Sequence, residues 1–129
     1  MSIDWPALKA AALEVQGRAY VPYSNYRVGA ALLTVGGEIV AGCNVENATF
    51  GATCCAERNA VFAAVAQGHT AFRAVAVATN GEEPGTPCGI CRQVLAEFGS
   101  DLEVLCFTPE GAEVRYRLSE LLPHAFRLK

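Results

Sequence analysis

Two stretches of this sequence carry residue types that can do chemistry together: Cys54-Cys55-Ala56-Glu57-Arg58 and Cys88-Gly89-Ile90-Cys91. Cys88 and Cys91 stand three apart, a spacing that on a helix puts both sulfurs on one face of the first turns. By itself that pair suits either a metal ion or a redox dithiol. Cys55 offers a third sulfur at the start of another helix, and the partial positive ends of two helices favour thiolates. Three protein ligands leave the fourth tetrahedral position open, which is the arrangement of catalytic rather than structural zinc. Glu57 can then take a proton from water at that position and return it to a heterocycle or a leaving amine. A spacing of two sends helical side chains to nearly opposite sides, so Cys55 and Glu57 can share a site only if it is approached end-on at the first turn. Three thiolates around one divalent ion leave a net negative charge, which weakens the acidification of bound water. The Arg58 guanidinium, donating to the sulfurs, offsets that charge.

The elements that must position these groups can be read from periodicity and breakers. Asp4 caps a first helix with Pro6 in its first turn, and Leu8, Ala11, Ala12, Val15 and Ala19 recur at helical spacing to about Tyr20. Val28–Val35 and Glu38–Cys43 flank Gly36-Gly37 as a hairpin. A second helix runs from about Cys55 to Gln67 and stops at Gly68. Ala74–Thr79 is a buried strand, and Thr86 with Pro87 supplies the cap and first position of a third helix, Cys88–Phe98. Strands at Glu103–Phe107 and Val114–Arg117 and a short helix at Ser119–Leu122 follow. This order predicts a three-layer α/β/α sandwich around a mixed sheet of about five strands. In such a layout, helices that follow parallel strands start at the carboxyl edge of the sheet, where Cys55 and Cys88 can meet.

At 129 residues, the chain fits one compact domain over 1–129. Hydrophobic residues make up 52% of it, enough for a folded core, but no apolar run is long enough to span a bilayer. The first twenty residues carry an acid early and no basic region before an apolar stretch, so a cytoplasmic location is expected. A net charge of −3 without a Lys/Arg cluster argues against nucleic acid as a partner. Six cysteines in such a chain read as thiols or metal ligands rather than disulfides. Cys43, Cys54 and Cys106 are most simply small buried hydrophobes, and His69 and His124 surface or capping residues.

The Cys55-x-Glu57 and Pro87-Cys88-x-x-Cys91 patterns resemble the zinc nucleoside deaminase signature. The resemblance extends over "YVPYSNYRVGAALL", "CNVENATFG", "CAERNAV", "TPCGICRQVLAEF" and "LSELLPHAF", most of the chain, and points to the small homotetrameric cytidine deaminases. It implies one Zn²⁺ per subunit held by Cys55, Cys88 and Cys91, attack of activated water on C4 of the pyrimidine, and release of ammonia. Glu57 would move the protons. The Ala56 N–H would hold the O2 carbonyl and the Thr86 carbonyl the amino group. Asn44 and Glu46 would read the ribose 3′-hydroxyl, and Tyr26, where Phe is common, would pack against the base. Tyr23, Ala48, Phe50 and Phe126 match positions that complete a neighbouring subunit's site. Two other readings stand beside this one: a deaminase of a related aminonucleoside of the blasticidin S type, and a non-enzymatic zinc module or dithiol protein, for whose fourth ligand Cys54 is the candidate.

Overall fold

A computed structural model describes residues 2–99 and 101–128. Helix α1 (Trp5–Gln16) begins as its sequence demands, with Asp4 Oδ1 accepting from the Ala7 N–H at 3.1 Å and proline in the first turn. It ends at Gln16, not near Tyr20. Beyond Gly17 the backbone turns away: the Tyr20 N–H donates to the Asn44 carbonyl and the Tyr20 carbonyl accepts from the Glu46 N–H. Pairing with a distant segment outcompetes continuation of the helix there.

Strands β1 (Val28–Thr34), β2 (Ile39–Cys43), β3 (Phe72–Thr79), β4 (Glu103–Phe107) and β5 (Glu113–Arg117) form one sheet in the order β2-β1-β3-β4-β5. Every residue of β1 is buried, because α1 covers one face of the sheet while α2 (Ala56–Ala66), α3 (Gly89–Phe98) and α4 (Leu118–Leu121) lie on the other. A strand covered on both faces has no need of polar alternation. The edge strand β5 does alternate, with Glu113, Arg115 and Arg117 exposed, which blunts its free edge. The expected three-layer sandwich is thus the fold, with one short 3₁₀ turn, Phe50–Ala52, in a stretch read from sequence as loop.

Strand direction sets the site. β1 is antiparallel to both β2 and β3, so these two run the same way although β1 separates them, and β3–β4 is the hydrogen-bonded parallel pair. The register places Gly29 opposite Cys43 and Val28 opposite Thr79. The carboxyl ends of β2 and β3 and the start of β1 therefore share one edge, and the loops into α2 and α3 leave from it.

The alanine-rich α2 is explained by how close it lies to β2. Ala56, Ala60 and Ala64 are fully buried at helical spacing, and a Cβ on Gly42 would fall 2.4 Å from the Ala60 nitrogen. A side chain at Gly42 must push α2 off the sheet. We expect Gly42→Ala to cost about 1–3 kcal/mol, seen as a lower denaturation midpoint; an unchanged midpoint contradicts the close packing of this pair.

Candidate active site

Cys55 and Cys88 do not lie within their helices but cap them. Each has extended backbone, with ψ of 154° and 170°, and the first helical residues are Ala56 and Gly89. This corrects the assignment of Thr86 and Pro87 as cap and first position of α3. Their polar atoms are engaged by Arg92 instead: its Nε donates to the Pro87 carbonyl at 2.7 Å and Nη2 to Thr86 Oγ1 at 3.2 Å, while Nη1 reaches the Leu121 carbonyl at 2.9 Å. Cap geometry also meets the end-on demand set by the Cys55–Glu57 spacing, because the cap residue points along the helix mouth rather than around its barrel.

The three sulfurs of Cys55, Cys88 and Cys91 lie within 4.8 Å of one another, with Cys55–Cys88 at 3.8 Å and Cys88–Cys91 at 3.5 Å. Zinc–sulfur bonds of about 2.3 Å in a tetrahedron require sulfurs about 3.7–3.8 Å apart. The donor set therefore fits zinc in both softness and spacing. All six cysteines are free thiols. Among the described residues the metal-capable cluster consists of these three cysteines, and Cys54, the candidate fourth ligand of a closed site, is outside it.

The electrostatics favour an anionic sulfur at Cys55. Hydrogen bonding from the Cys91 thiol, opposed by burial and reinforced by Arg58, brings Cys55 down to about 5. The Cys91 thiol is held well above its ordinary value by that same bond and by burial. Arg58 Nη2 donates to Cys55 Sγ at 3.4 Å, the contact expected from sequence, while its buried Nε has no partner among the described residues. In metal-free protein we expect alkylation at Cys55 to show a midpoint near pH 5. Arg58→Ala should raise that midpoint by about one pH unit, followed by mass spectrometry of the modified peptide. An unmoved midpoint would show that Arg58 does not act on this sulfur.

Glu57 is buried, and burial pushes its carboxyl up to about 7, with the neighbouring Cys55 adding to the rise and Arg58 opposing it. A carboxyl of that strength can both accept and release a proton near neutral pH. Glu57 lines a cavity of about 170 Å³ with Cys55, Ala56 and Cys88 from the two helix mouths, and with Tyr26, Asn44 and Thr86 from the loops around the sheet edge.

Glu46 is placed elsewhere. It borders a separate cavity of about 300 Å³ with Tyr23, Ser24, Phe50 and Thr53. Its carboxylate accepts from the N–H groups of Tyr23 at 3.0 Å and Ser24 at 3.1 Å and from the Ser24 hydroxyl. Within one chain, then, Asn44 and Glu46 do not line a common cavity. Asn44 is itself engaged: Oδ1 accepts from the Val28 N–H at 2.9 Å and Nδ2 donates to the Tyr26 carbonyl at 2.8 Å. An amide group retains one further donor and one further lone pair after these two bonds. Tyr23 meets Phe50 edge-on with centroids 6.2 Å apart, while Ala48, Phe50 and Phe126 are exposed. The Phe126 backbone is paired with the Gln93 side chain.

Two positioning residues escaped the sequence reading. Arg92 fixes the turn into Cys88, and Asn59 ties the approach to Cys55 to the end of β2, its Nδ2 donating to the Cys54 carbonyl at 3.4 Å and to the Cys43 carbonyl at 2.8 Å. The available signal was position alone: each stands one turn inside a helix whose cap is a cysteine ligand candidate.

Residues 5–107 match the family described as the cytidine and deoxycytidylate deaminase zinc-binding region. A cytidine deaminase of Sporosarcina psychrophila is 44% identical over 125 residues, which cover 96% of this chain and 92% of that protein. A probable cytidine deaminase of Dictyostelium discoideum is 45% identical over 117 residues, 90% of this chain and 79% of that one. The crystal structure of cytidine deaminase from Burkholderia pseudomallei matches with a TM-score of 0.92 at 45% identity, covering 96% of this chain and 100% of that one. The extent of these matches, over a chain in which two helix caps and the first turn of α3 gather three zinc-compatible sulfurs beside a buried carboxyl, shows that it belongs to the cytidine and deoxycytidylate deaminase zinc-binding family.

Proposed function

We propose that this chain catalyses the hydrolytic deamination of cytidine and 2′-deoxycytidine to uridine and 2′-deoxyuridine with release of ammonia, a step of pyrimidine salvage. The observation that carries this reading is the buried Glu57 carboxyl lining one cavity with Cys55 and Cys88, two of the three sulfurs of the Cys55/Cys88/Cys91 cluster. Zinc bound at the three sulfurs supplies a Lewis acid that makes water a nucleophile at neutral pH. Cys55, Cys88 and Cys91 hold the ion, and Arg58 tempers the charge of the sulfurs. Glu57 would carry one proton of the water to N3 and the second, from the C4 hydroxyl that attack leaves, to the amine, which departs as ammonia while C4 becomes a carbonyl. The Ala56 N–H, at the start of α2, holds the O2 carbonyl, and the Thr86 carbonyl accepts from the amino group.

The 170 Å³ cavity is smaller than the ~300 Å³ at which pockets for whole drug-sized ligands begin. It suits a pyrimidine base, leaving the sugar at the mouth. Tyr26 packs on the base, and Asn44 and Glu46 read the 3′-hydroxyl. For Glu46 this requires the carboxylate to serve the ribose as well as the Tyr23–Ser24 turn it already holds. A carboxylate near the sugar disfavours a phosphate, so nucleosides are preferred to nucleotides.

The chain acts as one domain over residues 1–129 and assembles as a homotetramer. Support for assembly comes from the solvent-facing aromatics: Phe50 is 77% exposed, Phe126 69% and Tyr23 57%. With Ala48 they complete neighbouring sites. Exposure of this kind is common at binding surfaces. No helix among the described residues is long and apolar enough to cross a membrane, and the location proposed is the cytoplasm.

The test is zinc content together with ammonia release from a panel of cytidine, deoxycytidine, cytidine monophosphate and blasticidin S. About one zinc per chain and release from the two nucleosides is the expected result. Pure protein with full zinc that is inert on the panel overturns the proposal, and release from blasticidin S alone moves the activity to that class.

A further inference from the structure

Tyr26 borders the cavity from a segment with no regular structure, so its position depends on side chains that reach it from elsewhere. Its N–H donates to Ser24 Oγ at 3.0 Å and its carbonyl accepts from Asn44. The preceding residue, Asn25, has φ of 58°, the left-handed region that non-glycine residues seldom occupy. Asn80, the first residue beyond β3, brackets this turn with a single side chain. Its Nδ2 donates to the Asn25 carbonyl at 3.1 Å and its Oδ1 accepts from the Arg27 N–H, also at 3.1 Å. One bond thus falls on each side of Tyr26.

The loop that Asn80 opens also meets the far end of the tyrosine ring. A Cβ on Gly85 would stand 2.6 Å from the Tyr26 hydroxyl oxygen, and the Gly85 N–H is anchored to Thr79 Oγ1 at 3.1 Å. Residues 79–85 therefore hold Tyr26 at its backbone, through Asn80, and set a limit on its ring, through Gly85. The amide of Asn80 supplies both the donor and the acceptor that the bracket needs. A carboxylate keeps the acceptor for Arg27 but sets an oxygen against the Asn25 carbonyl, and alanine keeps neither bond.

We propose that Asn80 is a positioning residue for nucleoside binding, which sets the Tyr26 ring at the cavity by bracketing its backbone and so governs affinity rather than the bond-making step. The inference rests on the reading of this cavity as a nucleoside site. If Asn80 only closed a loop, its removal would act independently of Tyr26. If it works through Tyr26, its effect disappears when the ring is gone.

The experiment is a cycle of wild type, Asn80→Ala, Tyr26→Ala and the double variant, with Asn80→Asp alongside. KM and kcat for cytidine are measured together with the Kd of uridine by titration calorimetry, and zinc content and Tm are recorded for each protein. Asn80→Ala is expected to raise KM and the uridine Kd about tenfold, the loss of one to two ordinary hydrogen bonds, with kcat within about threefold and zinc unchanged. In the Tyr26→Ala background the same change is expected to raise them less than about twofold, and Asn80→Asp is expected to fall between wild type and Asn80→Ala. Equal effects in both backgrounds, unchanged KM and Kd, or a fall confined to kcat overturn the proposal. Should Asn80→Ala fail to fold, Asn80→Asp carries the cycle: a smaller rise in KM and uridine Kd that disappears in the Tyr26→Ala background is the expected result, and no rise, or an equal rise in both backgrounds, overturns the proposal. A wild-type protein that neither deaminates cytidine nor binds uridine instead overturns the functional reading beneath it, a failure that the wild-type measurements alone identify.

Discussion

Glu57→Gln is expected to lower turnover of cytidine by about 10³–10⁴-fold, the upper part of the range for a positioned acid–base group, while zinc stays near one per chain. Glutamine fills the same volume and still hydrogen-bonds, but it cannot carry a proton from water to the base. The same substitution should stabilise the fold. Burial raises the Glu57 carboxyl from 4.5 to about 7. Below 4.5 it is neutral in both folded and unfolded chains and costs nothing. Between 4.5 and about 7 the unfolded chain releases the proton that the folded chain keeps, so stability falls as pH rises through this window and is lowest above it. Glutamine removes that dependence. In chelator-treated protein the gain over wild type should be close to zero at pH 4 and reach about 3 kcal/mol above pH 7, measured by chemical denaturation at several pH values. Retained turnover would remove Glu57 from the reaction, and a pH-independent difference would show that its charge is not desolvated.

Cys88→Ala is expected to abolish activity by a different route, through loss of the ion. With two sulfurs remaining, zinc in dialysed protein should fall below about a tenth per chain, and turnover should follow it. Cys88 and Cys91 separate this effect from unfolding, because Cys88 is exposed and Cys91 fully buried. Metal-free Cys88→Ala should match metal-free wild type within about 0.5 kcal/mol, as surface substitutions do. Cys91→Ala should lose zinc equally and cost about a further 1 kcal/mol or more for the void it leaves. Metal analysis and denaturation of the stripped proteins distinguish the two. Full zinc in Cys88→Ala would mean that the ion is held by another set of donors.

The linkage between these two results lies in how the helix starts are built. Both ligand-bearing turns are caps, and each is fixed by a side chain one turn inside its own helix: Asn59 for the approach to Cys55 and Arg92 for the approach to Cys88. A helix start is where backbone N–H groups are unpaired and where anionic sulfur is stabilised. Placing two such starts at one sheet edge concentrates those effects on one cavity.

Much of this was determined by the sequence alone. Sulfur, carboxyl and guanidinium are chemical identities, and spacings of two and three residues act within one helical turn, so the three-sulfur cluster, a carboxyl beside it and the Arg58 contact were legible without a fold. Helices and strands were legible for the same reason, since apolar periodicity and Asp, Pro and Gly punctuation are local. The places where that reading slipped are those where a distant partner prevails: the end of α1, where Tyr20 pairs across to Asn44 and Glu46, and the start of α3, where Arg92 takes the Pro87 carbonyl. Tertiary structure alone decided that β1 lies between β2 and β3, which brings Cys55 and Cys88 to one edge. It alone gave the Glu46 carboxylate to amides more than twenty residues away. Strand register and long-range hydrogen bonds depend on which segments meet in space, and no local pattern in the chain encodes that choice.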